Sequence, residues 1–283
     1  MSRIPPPLLC AASAAGLLVL WWWTPPAESP GDPAPGPNDS ILVDARTSFQ
    51  HYTTLAEAER GVPLTDPSGR FSWTNDMDGA GTHALVFELP SWDGTTCLDG
   101  GGHYEIPMRG NPTRLFFQWK MRMGRTATGG GIGPIGSAVI NNPRCSNAGR
   151  KLVLFARNVP DLGGRGRVDY VWPGPAPAVP RFEGFYGTGA ADRTILPNQG
   201  VYFPQQHVGE TITQTIEMQA ESRPGGRDGV LRLWIDGRLL TNATGVALGT
   251  EGVNRVLIPS TFRASAQDQT EYYWAFLAWT PKS

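Results

Sequence analysis

Gln118, Lys120 and Arg122 stand at two-residue spacing and put an amide and two cations on one side of an extended segment. Such a set can grip a carboxylate or a row of hydroxyls, and it suits neutralising the acid group of a uronate sugar. Elimination beside that carboxylate needs two more groups, a base for the proton on the adjoining carbon and an acid for the leaving oxygen. His207 and Tyr202 are the candidates for those roles, with His103, Tyr104 and Tyr186 as further donors and acceptors. Hydrolysis would instead need two carboxylates facing each other across a cleft. No Glu-x-Asp-x-x-Glu phrase occurs, and the nearest acidic strand, Glu217 to Glu221, lies among threonines in the manner of an exposed outer sheet face. Simple binding asks for less: an aromatic plate for a sugar ring and a few polar partners, which Trp234 beside Arg232, with Tyr186 and Tyr202, could supply.

These residues must be carried by strands. In Arg114 to Met123, Leu115, Phe117, Trp119, Met121 and Met123 form one apolar side, and Arg114, Phe116, Gln118, Lys120 and Arg122 the other. The polar side reads as a solvated sheet face and equally as a groove for acidic or hydroxyl-rich ligands. Thr211 to Glu221 alternates in the same way, with Ile212, Ile216 and Met218 inward. Asp228 to Leu240, DGVLRLWIDGRLL, is a hairpin whose two-residue turn is Asp236-Gly237. Leu231, Leu233 and Ile235 share one side of it, and Arg232 and Trp234 the other. The run Tyr272 to Trp279 is apolar on both sides, as a central closing strand should be. Further strands are expected at Ile41 to Arg46, Thr82 to Leu89, Lys151 to Asn158 and Arg167 to Trp172, and a helical turn within Tyr52 to Arg60. Cys97 to Arg114 reads as a long connection, and Phe182 to Gly189 as an aromatic, glycine-rich loop.

The 35 Gly and 26 Pro of the 283 residues forbid long helices, while 17% charged and 10% aromatic residues fit a chain with a core. A net charge of -1 gives no long-range pull toward nucleic acid or an acidic membrane surface. Gly129 to Gly133 lacks the Lys-Ser/Thr end of a phosphate loop. No cofactor is required by anything in the chain. Asn75 to Gly79 gathers oxygens suited to a structural calcium ion through Asp76 and Asp78, and equally to an Asx turn. Residues 1–23, with the apolar run Leu8 to Trp23, read as a signal peptide or an N-terminal membrane anchor, 24–39 as a Pro/Gly-rich linker, and 40–283 as one domain. The protein is therefore expected to be secreted, periplasmic or on the cell surface. In that setting Cys97 and Cys145, both in loops, are expected to form a disulfide that contributes roughly 4 kcal/mol.

The hairpin phrase DGVLRLWIDGRLL followed by EYYWAFLAW resembles the late hairpin and closing strand of concanavalin A-like jelly rolls, above all those of bacterial polysaccharide lyases acting on heparin, alginate or glucuronan, and of laminin-G-like domains. The resemblance covers about the last 80 residues. It implies an all-β jelly-roll β-sandwich of two antiparallel sheets, with the last strand returning beside the first. It also implies a polysaccharide partner, taken up by a β-eliminating lyase, by a glycan-binding module or by a structural surface protein that shares the fold. Gln205-Gln206-His207 is similar to the Gln-x-His phrase of alginate lyases, whereas their arginine-rich strand motif and Tyr-Phe-Lys motif have no counterpart here. The cations on the Gln118 face favour an acidic over a neutral polysaccharide.

Overall fold

The computed structural model describes residues 31–61, 71–89, 104–123, 149–157, 166–173, 181–185, 193–196, 209–246, 248–258, 261–262 and 269–282. In chain order the strands are β1 (Ser40–Asp44), β2 (Phe71–Thr74), β3 (Ala84–Leu89), β4 (Tyr104–Pro107), β5 (Arg114–Met123), β6 (Gly149–Arg157), β7 (Gly166–Pro173) and β8 (Arg181–Phe185). They continue with β9 (Arg193–Leu196), β10 (Thr211–Gln219), β11 (Gly229–Ile235), β12 (Arg238–Val246), β13 (Val253–Ile258), β14 (Thr261–Phe262) and β15 (Gln269–Thr280). One short helix, α1 (Leu55–Gly61), follows a 3₁₀ turn at Ser48–His51. The strands make two antiparallel sheets. The first runs β12-β11-β10-β5-β15-β3-β2 with β1 against β15, and the second runs β4-β13-β6-β7-β8-β9 with β14 against β6. This is the expected jelly-roll sandwich, and β1 does lie beside the closing strand, Ser40 opposite Thr280.

The alternation of β5 sets the core. Leu115, Phe117, Trp119 and Met121 are each 0% exposed and meet Ile212, Ile216 and Met218 of β10, Leu231 and Leu233 of β11, and Ile106, Val256 and Ile258 from the second sheet. Sequestering such side chains contributes about 1.5–3 kcal/mol each and outweighs the weak strand propensity of any one of them. The β11–β12 hairpin turns at Asp236 (φ 48) and Gly237 (φ 76), and two successive positive φ values are what a tight turn matched to strand twist demands.

The closing strand solves a packing problem with a bulge. Its register against β5 shifts between Trp274 and Leu277, and Ala275 has φ 57. The extra residue re-phases the alternation, as a β-bulge does. Tyr273, Phe276 and Ala278 join the inter-sheet core, while Leu277 and Trp279 turn to the other face. An all-apolar strand therefore serves two apolar clusters. Elsewhere the chain departs from the sequence reading: part of the Cys97 to Arg114 connection is β4, and Phe182 to Phe185 belongs to β8 rather than to a loop, hydrogen-bonded to β7 and β9 on its two sides. Two flanking strands supply the backbone partners that the lone segment gave no sign of having.

Candidate functional site

The outer face of the first sheet, away from the second, divides into a closed half and an open half. In the closed half Phe116 stacks on Trp279 (4.9 Å between ring centres, 10° apart) and lies 6.4 Å from Trp234. Leu277 and Leu239 complete this second apolar cluster, and Trp234 is 7% and Trp279 1% exposed. Beside it the Glu217 carboxylate, 1% exposed, bridges two strands. Its Oε1 accepts from Arg114 Nε (2.8 Å) and Nη2 (2.7 Å), and its Oε2 from Arg232 Nη1 (2.6 Å). Arg232 Nε also donates to Asn242 Oδ1 at 2.8 Å, and the Arg114 guanidinium lies 5.5 Å from the Phe116 ring centre. Arg232 and Trp234 thus have their polar and apolar partners within the protein. The reading of Glu217 to Glu221 as an exposed acidic strand is corrected as well. Glu221 is 7% exposed, its oxygens accepting the backbone N–H groups of Arg227 (2.8 Å) and Gly249 (3.0 Å). A carboxylate amid threonines can be buried when donors from distant strands converge on it.

The open half begins one step further along β5. Register places Thr213 and Trp274 on either side of Lys120, and Thr211 and Tyr272 on either side of Arg122. Lys120 and Thr211 are exposed, and Arg122, Thr213 and Tyr272 half-buried. Among the described residues neither Lys120 nor Arg122 forms an ion pair. Two cations, two hydroxyls and a phenol on one strand face can take a carboxylate, accept and donate to sugar hydroxyls, and offer one ring for stacking. Gln118 marks the border. Its Nε2 donates to Thr215 Oγ1 at 3.0 Å, beneath the segment that leads into β1.

That segment crosses the face at the hairpin. Asp32 Oδ1 accepts from Thr215 Oγ1 at 3.5 Å, its carboxylate also takes the Gly237 N–H, and a Cβ at Gly237 would lie 3.3 Å from the Asp32 nitrogen. Burial raises the Asp32 carboxyl above the ordinary aspartate value, the Gly237 amide lowers it, nearby Asp236 raises it and Thr215 lowers it. A raised folded-state value means that docking is strongest below the unfolded value of about 3.9 and is lost as pH climbs through the raised one. Hydrogen exchange of the Asp32 to Asp39 amides is therefore expected to quicken with rising pH beyond its intrinsic base catalysis. Asp32→Asn should abolish that excess, and an unchanged excess would refute the assignment.

Asp76 and Asp78 hold their own loop: Asp78 accepts from the Ala80 and Thr82 nitrogens (3.0 and 3.2 Å) and the Thr82 hydroxyl (2.7 Å), and Asp76 from the Gly81 nitrogen (2.9 Å). These hydrogen bonds draw the Asp78 carboxyl below its usual range, the Thr82 hydroxyl most of all. Among the described residues no three acidic, histidine or cysteine side chains gather around a metal-sized space. His83 is pinned by its Nδ1 to the Tyr52 and Phe49 carbonyls, at 2.7 and 3.1 Å. His103, Tyr186, Tyr202, His207, Cys97 and Cys145, and the apolar N-terminal run, lie outside the described residues. Among those described, no helix is long and apolar enough to cross a membrane.

The second sheet holds a pattern that sequence reading missed. Register lays Arg193, Phe185, Arg167, Ala156 and Arg255 in one row across β9, β8, β7, β6 and β13. With strands about 4.8 Å apart, three arginine positions recur about every 10 Å across the sheet. Arg255 Nη1 lies 3.1 Å from Glu105 Oε2. Only pairing between strands reveals the row, because Arg167, Arg193 and Arg255 are separated by 26 and 62 residues in the chain.

No family model matches this sequence, and no curated protein does. Solved structures do. An alginate lyase, Aly36B, in complex with alginate trisaccharide superposes with a TM-score of 0.54 at 12% identity, over 87% of this chain and 99% of that one. The endo-β-1,4-glucuronan lyase of the fungus Trichoderma reesei gives 0.52 at 14% identity, over 77% and 90%. At such identities the likeness is one of fold. It agrees with the jelly-roll sandwich built above, along nearly the whole length of both neighbours.

Proposed function

We propose that this chain is an exported, acidic-polysaccharide-recognising jelly-roll protein, held at or released from the cell surface through its N-terminal segment. The observation that carries the reading is the open half of the first sheet: Lys120 and Arg122, without ion-pair partners among the described residues, flanked by Thr211, Thr213 and Tyr272. A polymer bearing one carboxylate per sugar matches unpaired cations better than a neutral glycan does. The sandwich neighbours whose names specify alginate and glucuronan support the same class of ligand. If the protein cleaves as well as binds, the bond broken is the C4–O glycosidic bond. The proton at C5 goes to a base and the departing oxygen takes one from an acid, for which His207 and Tyr202 are the residues to test.

Substitution of Lys120 and Arg122 together by alanine is expected to weaken binding of the full chain to polyglucuronate or alginate about 100-fold, the worth of roughly two charge-assisted hydrogen bonds. Thermal stability should stay unchanged. Ultraviolet absorbance of an unsaturated product would mark a lyase, and binding without product a module. Retention of full affinity in the double variant would remove this face from the site. A second placement of the same function rests on the arginine row. If Arg167→Ala and Arg193→Ala abolish binding while the Lys120/Arg122 variant keeps it, the acidic chain lies across the second sheet.

A further inference from the structure

A cavity of about 850 Å³ opens at the edge of the sandwich, at the opposite end of β5 from Lys120 and Arg122. Arg114, where β5 begins, lies eight residues from Arg122, a separation of about 26 Å along the strand. The walls are the turn Arg109–Thr113, the end of β10 with Glu221 and Ser222, the start of β1, and the tail of β15 through Lys282. Backbone hydrogen bonds staple this frame. The Ala220 nitrogen donates to the Thr113 carbonyl (2.7 Å), that of Val253 to Pro112 (3.0 Å), that of Met108 to Asn254 (2.8 Å) and that of Glu221 to Gly249 (2.8 Å). Gly252 has no side chain to spare, since a Cβ there would collide with the Asn111 carbonyl. The cavity is thus pre-formed rather than a gap between loose loops.

Its chemistry is polar and cationic. Among the described residues Arg109, Arg114 and Lys282 line it, against one carboxylate, Glu221, whose two oxygens already accept backbone amides. Counting Arg114 as neutralised by Glu217, the lining carries one net positive charge, with Arg109 and Lys282 exposed and without ion-pair partners among the described residues. Hydroxyl and amide groups of Ser40, Thr113, Gln219, Ser222 and Thr280 complete the wall, and among the described residues no aromatic ring contributes. A neutral sugar would find no plate to stack on, and an apolar ligand would strip water from these polar groups without replacing it. The volume lies in the upper part of the range for small-ligand sites.

We propose that this cavity is a second binding site, separate from the Lys120/Arg122 face, for a short carboxylate-bearing oligosaccharide whose acid group sits between Arg109 and Lys282. The site stands on its own lining and does not need the polymer reading of the other face. The test is calorimetric titration of the full chain with glucuronate trimer and with cellotriose, at low and at high salt. The trimer of glucuronate should bind and the neutral trimer should not, with affinity falling as salt rises. Measured in the Lys120→Ala/Arg122→Ala background, where the other face is removed, Arg109→Ser with Lys282→Ser should weaken the remaining glucuronate binding at least tenfold, and Arg60→Ser, at an exposed arginine of α1, should leave it unchanged. Both pairs are surface changes, so unchanged melting curves are expected and keep the comparison clean. Absence of glucuronate binding in that background, equal binding of cellotriose, or undiminished binding once Arg109 and Lys282 are also replaced would each overturn the cavity assignment. Loss of polymer binding in the Lys120/Arg122 variant alone bears only on the other face.

Discussion

Replacing Trp279 by alanine is expected to lower the unfolding free energy by about 3–5 kcal/mol, the usual cost of deleting a large buried ring. For a chain of this size the melting temperature should drop by on the order of 10 °C. The residue stands on the outer face of the first sheet, where a solvated position would tolerate alanine with almost no change. It is 1% exposed, stacked on Phe116 and joined by Leu277 and Trp234. Trp279→Phe keeps a ring for the stack and should lose about half as much or less, an order-of-magnitude expectation for partial loss of packing. Differential scanning calorimetry of the two variants decides. If alanine costs under about 0.5 kcal/mol, the range of an ordinary surface change, the outer cluster is not a second core and the whole face is open to ligand.

The position of that cluster explains what could and could not be read from the chain. Strands β5 and β11 were legible because each keeps one apolar side over seven or more residues, and β10 because Ile212, Ile216 and Met218 mark the same period with only Gln214 breaking its inward side. The turn at Asp236-Gly237 was legible because few residue pairs accept two positive φ values. Strand β13 was not, since its register shifts between Val253 and Arg255 and sets Val253 and Val256 on the core side three residues apart. A period-two search passes over such a strand. In β15 the bulge at Ala275 hides in an unbroken apolar run, so the strand was visible while its division between two clusters was not. The site followed the same rule. Lys120 and Arg122 were found because one strand displays them together, whereas the cavity at Arg109 and Lys282 joins residues 173 positions apart and has no local signature. Glu217 looked exposed because its two cations come from strands 103 and 15 residues away.

That bridge gives the second large effect. Glu217→Ala leaves the Arg114 and Arg232 guanidinium groups side by side with no anion between them. Stranding one side of a buried ion pair costs about 3–5 kcal/mol. Here Arg114 and Arg232 are 42% and 28% exposed, so water screens part of the loss, and about 2 kcal/mol is the expected fall in unfolding free energy. Glu217→Gln keeps acceptor geometry at one oxygen and should lose less. Urea unfolding at low and high salt reads both, and the deficit of the alanine variant should shrink as salt screens the two arginines from each other. The same substitution has a consequence at the sandwich edge. Arg114 also lines the cavity there, and without Glu217 its charge is no longer neutralised, so the cavity gains a second net positive charge. A chain that is less stable yet binds glucuronate trimer more tightly is therefore the expected outcome for Glu217→Ala. Lower stability with unchanged affinity would confine Arg114 to a structural role, and unchanged stability would mean that the bridge holds nothing together.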